Sequence, residues 1–208
     1  MNPTLPTVFI VDDEPAVLNS LSRLMRSARL AASTFSSPQE FLDRHDPQVP
    51  GCLILDMAMP GLDGLQLQQA LIAKGSEIPI IFLTGRGDIP MSVRAMKRGA
   101  VDFLTKPVDD EDLLEAIRDA IEKDRVNRPA IAERNAIRQR LATLTPRERE
   151  VLEHVLTGQL NKQIAGDLDI AEKTIKVHRG RVMEKMGVRS VAELVRLCQV
   201  AGIKPAPR

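Results

Sequence analysis

Residues 8–15 read VFIVDDEP, so that an apolar run of four residues ends in two aspartates. An apolar run of about this length, bounded by turn residues, is typical of a buried strand in a parallel sheet. Three further apolar runs also end beside polar residues, namely 52–55 before Asp56, 78–83 before Thr84, and 101–104 before Thr105 and Lys106. Because ligands bind beyond the carboxyl ends of parallel strands, we expect these polar side chains to share one site at that edge.

Strand-like and helix-like segments alternate through residues 1–122. Residues 14–29, for example, carry apolar side chains at the spacing of one helix face. Such alternation is typical of an α/β doubly wound domain, and its simplest count is five parallel strands with five helices.

The predicted edge site combines three carboxylates, a hydroxyl and an ammonium, those of Asp12, Asp13, Asp56, Thr84 and Lys106. Carboxylates held within a few ångströms repel one another unless a cation lies among them. Mg2+ suits this site because it binds one or two carboxylates and also takes phosphate oxygens. The set can neutralise a phosphoryl group during transfer, and one carboxylate can act as the nucleophile. Since Asp56 stands alone after the most central predicted strand, we assign it the nucleophile's role and the metal to Asp12 and Asp13.

The two parts of the chain carry opposite charge. Residues 1–122 hold 11 Lys and Arg against 18 Asp and Glu, whereas residues 123–208 hold 18 against 10. A basic region attracts polyanions, so the second part is expected to bind nucleic acid. The same charges would also serve solubility, and charge alone does not decide between these roles.

Composition argues against several classes of protein. No apolar run approaches the roughly 20 residues of a membrane span, so we expect no membrane partner and a cytoplasmic location. Cys52 and Cys198 lie in apolar segments of different halves and are expected to be two buried thiols rather than a disulfide or a metal pair. Stacking on single-stranded nucleic acid is a poor hypothesis, because the chain has 5 Phe and no Trp or Tyr.

Residues 123–143 form an Arg-rich connector, which we predict to be a stiff helix interrupted or kinked at Pro129. Residues 144–208 show only helical patterns, and Thr145 to Glu148 have the signature of a capping box. Four helices are predicted, at about 146–157, 161–168, 172–186 and 190–201. The second and third are separated by a short turn, which is the helix-turn-helix arrangement.

The third of these helices is the predicted recognition helix. It carries Ile175, Val182 and Met186 at helical spacing, and these side chains should face the core of the domain. Lys176, Val177 and Gly180 then lie on the opposite face, which would enter the major groove of DNA.

The motifs of residues 1–122 resemble those of the receiver domain of two-component response regulators. The matching stretches are VDDEP at 11–15, LDMAMPGLDG at 55–64, LTGRGDIP at 83–90 and AMKRGAVDFLTKP at 95–107. The resemblance implies a flavodoxin-like fold, and a cis peptide bond before Pro107 is usual in such domains. It implies the following roles: Asp56 as phosphoacceptor, Asp13 as direct Mg2+ ligand, Asp12 as holder of a metal-bound water, the Ala58 carbonyl as a further metal ligand, Thr84 and Phe103 as a switch pair, and Lys106 as the phosphate-binding lysine.

The C-terminal motifs resemble the LuxR-type DNA-binding domain. The matching stretches are LTPREREVL at 144–152, NKQIA at 161–165 and KTIKVHRGRVMEKMGV at 173–188. Coupled to the receiver motifs, they resemble the NarL/FixJ family and within it the FixJ branch. The resemblance implies that Lys176 and Val177 contact bases, and that phosphate or shape contacts come from Lys173, Thr174, His178 and Arg181.

The resemblance implies a transcription factor that is not an enzyme. A sensor histidine kinase would phosphorylate Asp56, and the change would control homodimerisation or release of the C-terminal domain for binding to double-stranded DNA. RNA polymerase is a further candidate partner. Two alternatives stay open: an aspartyl-phosphate hydrolase, although Ala58 stands where its usual motif has a second Asp, and a protein–protein adaptor.

Overall fold

The computed structural model describes residues 5–85 and 89–203. Residues 86–88 of the LTGRGDIP motif and residues 204–208 of the predicted C-terminal domain lie outside the described residues. The chain divides into two compact units, with the division between Pro129 and Ala130.

The N-terminal unit is built on one parallel sheet, with strand order β2-β1-β3-β4-β5. The strands are β1 (Thr7–Val11), β2 (Ala31–Phe35), β3 (Gly51–Leu55), β4 (Ile80–Thr84) and β5 (Asp102–Thr105). The helices that alternate with them are α1 (Pro15–Ser27), α2 (Pro38–Arg44), α3 (Gly64–Ala73), α4 (Ile89–Lys97) and α5 (Asp110–Ala142). The predicted five-stranded, doubly wound, flavodoxin-like fold is confirmed, and β3 is its central strand.

Helices cover both faces of the sheet, which explains why the central strands are apolar throughout. Successive side chains of β3 point to opposite faces. Leu53 and Leu55 belong to the core under α2, α3 and α4, whereas Cys52 and Ile54 belong to the core under α1 and α5. The thiols of Cys52 and Cys198 are both free and buried, as predicted.

Strand register places the polar residues at one edge. Val11 of β1 pairs with Leu55 of β3, so Asp12 and Asp56 leave adjacent strands side by side. Thr84 pairs with Thr105, so the residue after β5, Lys106, leaves the sheet at the same edge.

Helix α5 runs for 33 residues and includes Pro129 within it. The first part of the helix belongs to the N-terminal unit and the rest to the C-terminal unit. The division of the chain into 1–122, 123–143 and 144–208 stays a prediction.

The C-terminal unit contains α6 (Pro146–Leu156), α7 (Asn161–Asp167), α8 (Glu172–Met186) and α9 (Val191–Val200). These helices enclose one apolar core, to which α5 contributes Ile137 and Leu141. A capping box begins α6, because Thr145 Oγ1 accepts from the N–H of Glu148 and Glu148 Oε2 accepts from the N–H of Thr145. No helix within the described ranges is both long and apolar enough to cross a membrane.

Gly51 supplies a test of the contact between β1 and β3. Its φ is +148°, and a Cβ added there would lie 1.8 Å from the backbone oxygen of Thr7. We expect Gly51→Ala to lower the free energy of unfolding of the N-terminal unit by at least about 3 kcal/mol, because the paired strands would have to separate. Hydrogen exchange of peptides from β1 and β3 measures this change.

Gly99→Ala is the control, since its φ is +92° but a Cβ there would meet no described atom within 4 Å. Gly99→Ala should lower the free energy of unfolding only by the cost of a left-handed backbone at a non-glycine residue, roughly 1–2 kcal/mol. Equal effects of the two substitutions would contradict the steric explanation.

Candidate functional site

The carboxyl edge of the sheet holds a charged cluster of three side chains. Lys106 Nζ lies 2.6 Å from Asp12 Oδ2 and 2.8 Å from Asp56 Oδ1. Asp12 and Asp56 are 2% and 7% exposed, so water screens the cluster poorly. The structure therefore brings together Asp12, Asp56 and Lys106, which lie far apart in the chain.

Backbone groups hold the second oxygen of each carboxylate. Asp12 Oδ1 accepts the N–H of Glu14 at 2.9 Å, and Asp56 Oδ2 accepts the N–H of Ala58 at 2.7 Å. Each carboxylate thus has one oxygen on Lys106 and one on the chain that follows it. This arrangement fixes the orientation of both carboxylates.

Lys106 is held at both its side chain and its backbone. Burial opposes its positive charge, but hydrogen bonds to Asp12 and Asp56 outweigh this effect and raise the pKa of the ammonium. The backbone N–H of Lys106 donates to the carbonyl of Thr84 at 2.7 Å. The peptide bond between Lys106 and Pro107 is cis, as the resemblance led us to expect.

Asp13 is exposed and is not part of this cluster. Within residues 5–85 and 89–203, no three His, Cys, Asp or Glu side chains are arranged as a group that could hold a metal ion. The donor set nevertheless suits a hard divalent cation, because Asp12, Asp13 and Asp56 against Lys106 leave a formal charge of about −2. The single ammonium of Lys106 offsets only part of the negative charge of Asp12 and Asp56.

Thr84 and Phe103 lie on the neighbouring strands β4 and β5. Thr84 is 1% exposed and ends β4 beside the charged cluster. Phe103 is partly buried, and its ring centroid is 6.2 Å from that of Phe82, its partner in strand register. Thr84 is thus next to the cluster, whereas the Phe103 ring packs against the core on one face of the sheet.

The C-terminal unit presents the predicted recognition helix, α8, with its apolar face inward. Ile175, Val182 and Met186 are buried at 0%, 1% and 0% exposure, as the spacing predicted. The predicted DNA-contacting side chains that are exposed are those of Lys173, Thr174, Lys176, Val177 and Arg181. His178 is only partly exposed, and its Nδ1 is buried without a hydrogen-bond partner in the described chain.

Two basic residues of α8 make contacts within the unit. Arg179 donates to the Asn161 side chain at 2.9 Å, which ties α8 to the start of α7. Lys185 pairs with buried Glu148 at 2.6 Å and also donates to the Thr143 carbonyl at 3.0 Å. The basic residues of this helix therefore differ in role, and the sequence pattern did not separate them.

The C-terminal end of α8 is held by the end of α5 and the start of α6. Arg140 Nη1 donates to the carbonyl of Met186 at 3.1 Å. Sequence reasoning assigned Glu148 only to the capping box and gave Arg140 no role. The capping-box position of Glu148 was the only sequence signal for its pairing with Lys185, and no signal pointed to Arg140.

Comparison with known proteins identifies both units. A family model described as "Response regulator receiver domain" matches residues 8–118, and one described as "Bacterial regulatory proteins, luxR family" matches residues 142–198. "Nodulation protein W" of Bradyrhizobium diazoefficiens is 47% identical over 96% of this chain and 88% of its own length. "Transcriptional regulatory protein FixJ" of Azorhizobium caulinodans is 42% identical over 99% of this chain and 97% of its own. The chain belongs to the NarL/FixJ family of response regulators.

A solved structure supports the same assignment for this response regulator. The crystal structure of full-length FixJ from B. japonicum matches with a TM-score of 0.56 and 42% identity, over 96% of this chain and 98% of that one. The response regulator is a phosphorylation-dependent transcription regulator, as its motifs predicted.

The contact between Glu148 and Lys185 in this response regulator predicts a pH dependence of stability. The hydrogen bond from Lys185 and that from the Thr145 backbone lower the pKa of Glu148 from 4.5 to about 2. A carboxyl whose pKa is lower in the folded state stabilises the fold above its unfolded pKa and loses this effect as the pH falls through the folded pKa. We expect Glu148→Gln to lower the free energy of unfolding of the C-terminal unit by about 2 kcal/mol at neutral pH.

The cost should vanish as the pH falls from about 4.5 to about 2. Hydrogen exchange of α6 and α8 measures it without Trp or Tyr fluorescence, which this chain lacks. Glu150→Gln is the control, because the Glu150 side chain is 49% exposed in its pair with Arg147. A pH-independent cost of Glu148→Gln would contradict the ionic explanation.

Proposed function

We propose that Asp56 accepts a phosphoryl group from a sensor histidine kinase, and that phosphorylation controls sequence-specific DNA binding through α8. The observation that carries this proposal is the position of Asp56 after the central strand, paired with Lys106 beside Asp12. Receiver and LuxR-type domains in one chain support the kinase and the DNA as its two partners.

The acceptor chemistry follows from the contacts of Asp56. A carboxylate oxygen of Asp56 attacks phosphorus, the phosphorus–nitrogen bond to the histidine of the kinase breaks, and the imidazole leaves with the bonding electrons. Lys106 then balances the charge of the new phosphoryl group, as it balances the Asp56 carboxylate at 2.8 Å now. The N–H of Ala58 holds the other carboxylate oxygen in place.

Asp12, Asp13, Asp56 and the Ala58 carbonyl are the groups that would hold Mg2+. The metal would supply positive charge to the phosphoryl oxygens during transfer. Our assignment of Asp13 as direct ligand rests on the family motif and on the charge of the set, since its side chain is exposed.

Thr84 and Phe103 are the proposed switch. The Thr84 hydroxyl would donate to a phosphoryl oxygen on Asp56, since Thr84 ends the strand next to β3. Phe103 would follow by changing its packing on the core, where Phe82 is its neighbour. The altered surface around β5 would favour a homodimer. The dimer would place two recognition helices on two half-sites of DNA. RNA polymerase is a further partner that the DNA-bound dimer would contact.

Base contacts are assigned to Lys176 and Val177 on the exposed face of α8. Val177 is 48% exposed, whereas Ile175, Val182 and Met186 of the same helix are buried. Phosphate and shape contacts are assigned to Lys173, Thr174, His178 and Arg181. Of these four side chains, His178 is the least accessible.

The alternatives have less support. An aspartyl-phosphate hydrolase would need a general acid near Asp56, and Ala58 offers no side chain for that purpose. A protein–protein adaptor would not need the exposed basic residues of α8. Two results would separate the proposed function from these alternatives. Absence of multiple turnover with phosphomonoesters would exclude the hydrolase. A DNA affinity that falls steeply as salt rises would exclude the adaptor.

Replacing the acceptor tests the first part of the proposal. Asp56→Asn should abolish labelling by acetyl phosphate in the presence of Mg2+, because an amide oxygen is a far weaker nucleophile than a carboxylate. Mass spectrometry of the intact protein measures the label. Asp119→Asn, an exposed aspartate on α5, should leave labelling unchanged. A persistent label on Asp56→Asn at another residue would refute the assignment.

Two lysines of α8 test the assignment of DNA contacts. Lys176→Ala should weaken binding to the preferred site by about 1–3 kcal/mol and relax its sequence preference. Lys173→Ala should weaken binding to all sequences alike and reduce the salt slope by about 1, because a phosphate contact carries no sequence information. Titrations with specific and non-specific duplexes at several salt concentrations measure both. Unchanged preference in Lys176→Ala would overturn the placement of α8.

A further inference from the structure

A further buried carboxylate of the N-terminal unit, that of Asp124, lies at the other end of the strands, where they begin. Asp124 of α5 is 3% exposed. Its Oδ2 accepts the backbone N–H of Gly51 at 3.0 Å and Arg128 Nε at 2.9 Å. Burial of a carboxylate is costly unless it is hydrogen-bonded, and these two contacts offset that cost.

Arg128 extends this contact to the loop that enters β3. Its Nη1 donates to the carbonyl of Gln48 at 2.9 Å and to that of Pro47 at 3.4 Å, and its Nη2 donates to the carbonyl of Val49 at 2.9 Å. The planar guanidinium can make these bonds together with the bond to Asp124 because its five N–H groups have a fixed geometry. One side chain thus joins α5 to three successive carbonyls.

The contact ends beside a gap in the helical hydrogen bonds of α5. The next residue, Pro129, has no N–H, so the carbonyl of Arg125 cannot receive the usual helical hydrogen bond from it. The division between the two compact units also lies directly after Pro129. The last turn of α5 before Pro129 thus lacks one helical hydrogen bond. The tertiary hydrogen bonds of Asp124 and Arg128 hold this turn in place instead.

We propose that Asp124 and Arg128 form a clamp, which fixes the end of the receiver part of α5 to the start of β3. Helix α5 shares a core with Leu104 of β5, so the change of packing proposed around β5 acts on this helix. The clamp keeps the last turn before Pro129 folded, so that the change reaches the residues beyond Pro129. Without the clamp, this turn would open locally and absorb the change. This inference rests on the function proposed above, because it assigns residues to the link between phosphorylation and DNA binding.

A neighbouring ion pair offers a matched control. Glu122 and Arg125 pair one turn away on the same helix, but their side chains are 58% and 73% exposed. Such an exposed pair contributes little to stability. Arg125→Gln therefore removes one arginine charge from the same stretch of α5 and leaves the clamp intact.

The experiment compares full-length wild type, Arg128→Gln, Arg128→Lys and Arg125→Gln. Acetyl phosphate with Mg2+ supplies the phosphoryl group, and mass spectrometry gives the extent of labelling. The DNA probe is a duplex selected from a random pool by the phosphorylated wild-type protein. The measured quantity is the ratio of DNA affinity with and without phosphorylation, and hydrogen exchange is followed over residues 47–51 and 120–128.

Arg128→Gln should take the label like the wild type, since the clamp lies at the other edge of the sheet from Asp56. Its affinity ratio should fall by roughly 2- to 30-fold, the range over which residues between two sites modulate their coupling. Exchange at 47–51 should accelerate in the unphosphorylated protein. The affinity ratio of Arg128→Lys should lie between those of the wild type and Arg128→Gln, because an ammonium keeps the charge beside Asp124 but not the three carbonyl contacts.

An affinity ratio in Arg128→Gln within twofold of that of Arg125→Gln would overturn the clamp, as would unchanged exchange at 47–51. If Arg128→Gln does not fold, Arg128→Lys decides by the same criteria. A wild-type protein without label, or with a ratio of one, would instead refute the proposed function together with this role. A loss of labelling in Arg128→Gln alone would show that Arg128 serves the acceptor site and not the link.

Discussion

The pairing of one lysine with two buried aspartates is the constraint on which the N-terminal unit depends. Burying the carboxylates of Asp12 and Asp56 side by side is costly unless a positive charge lies between them. Lys106 provides it at 2.6 and 2.8 Å, and can do so only if β1, β3 and β5 end at the same edge. The same requirement makes the edge responsive, since any group that changes the charge at Asp56 changes the balance that Lys106 maintains.

Sequence patterns could locate most of the sheet and the edge site because both depend on local signals. An apolar run followed by a polar residue identified β1, β3, β4 and β5, and parallel topology then placed their ends together. The edge strand β2, with sequence AASTF, has only Phe35 buried and therefore carries no such run. The motifs also recovered the helix-turn-helix, because caps and apolar spacing delimit each of its helices.

Pairings between distant side chains were beyond the sequence. Nothing in the Arg-rich stretch at the end of α5 distinguishes Arg128, which holds three carbonyls, from Arg125, which lies in solvent. The same holds for Lys185 and Lys176, two lysines of one helix with opposite orientations. A charged residue has no periodic signature of its partner, so only the fold decides whether it binds a ligand or stabilises the chain.

The two cysteines have a practical consequence. Burial, with a smaller effect of Asp124, raises the pKa of Cys52 to about 12, and burial also raises the pKa of Cys198. Neither thiol forms a reactive thiolate while its unit is folded, so reagents that attack thiolates would modify these cysteines only slowly. Each thiol becomes reactive only when its own core opens. Because one lies in each unit, their modification rates would report separately on the opening of the sheet and of the helical core.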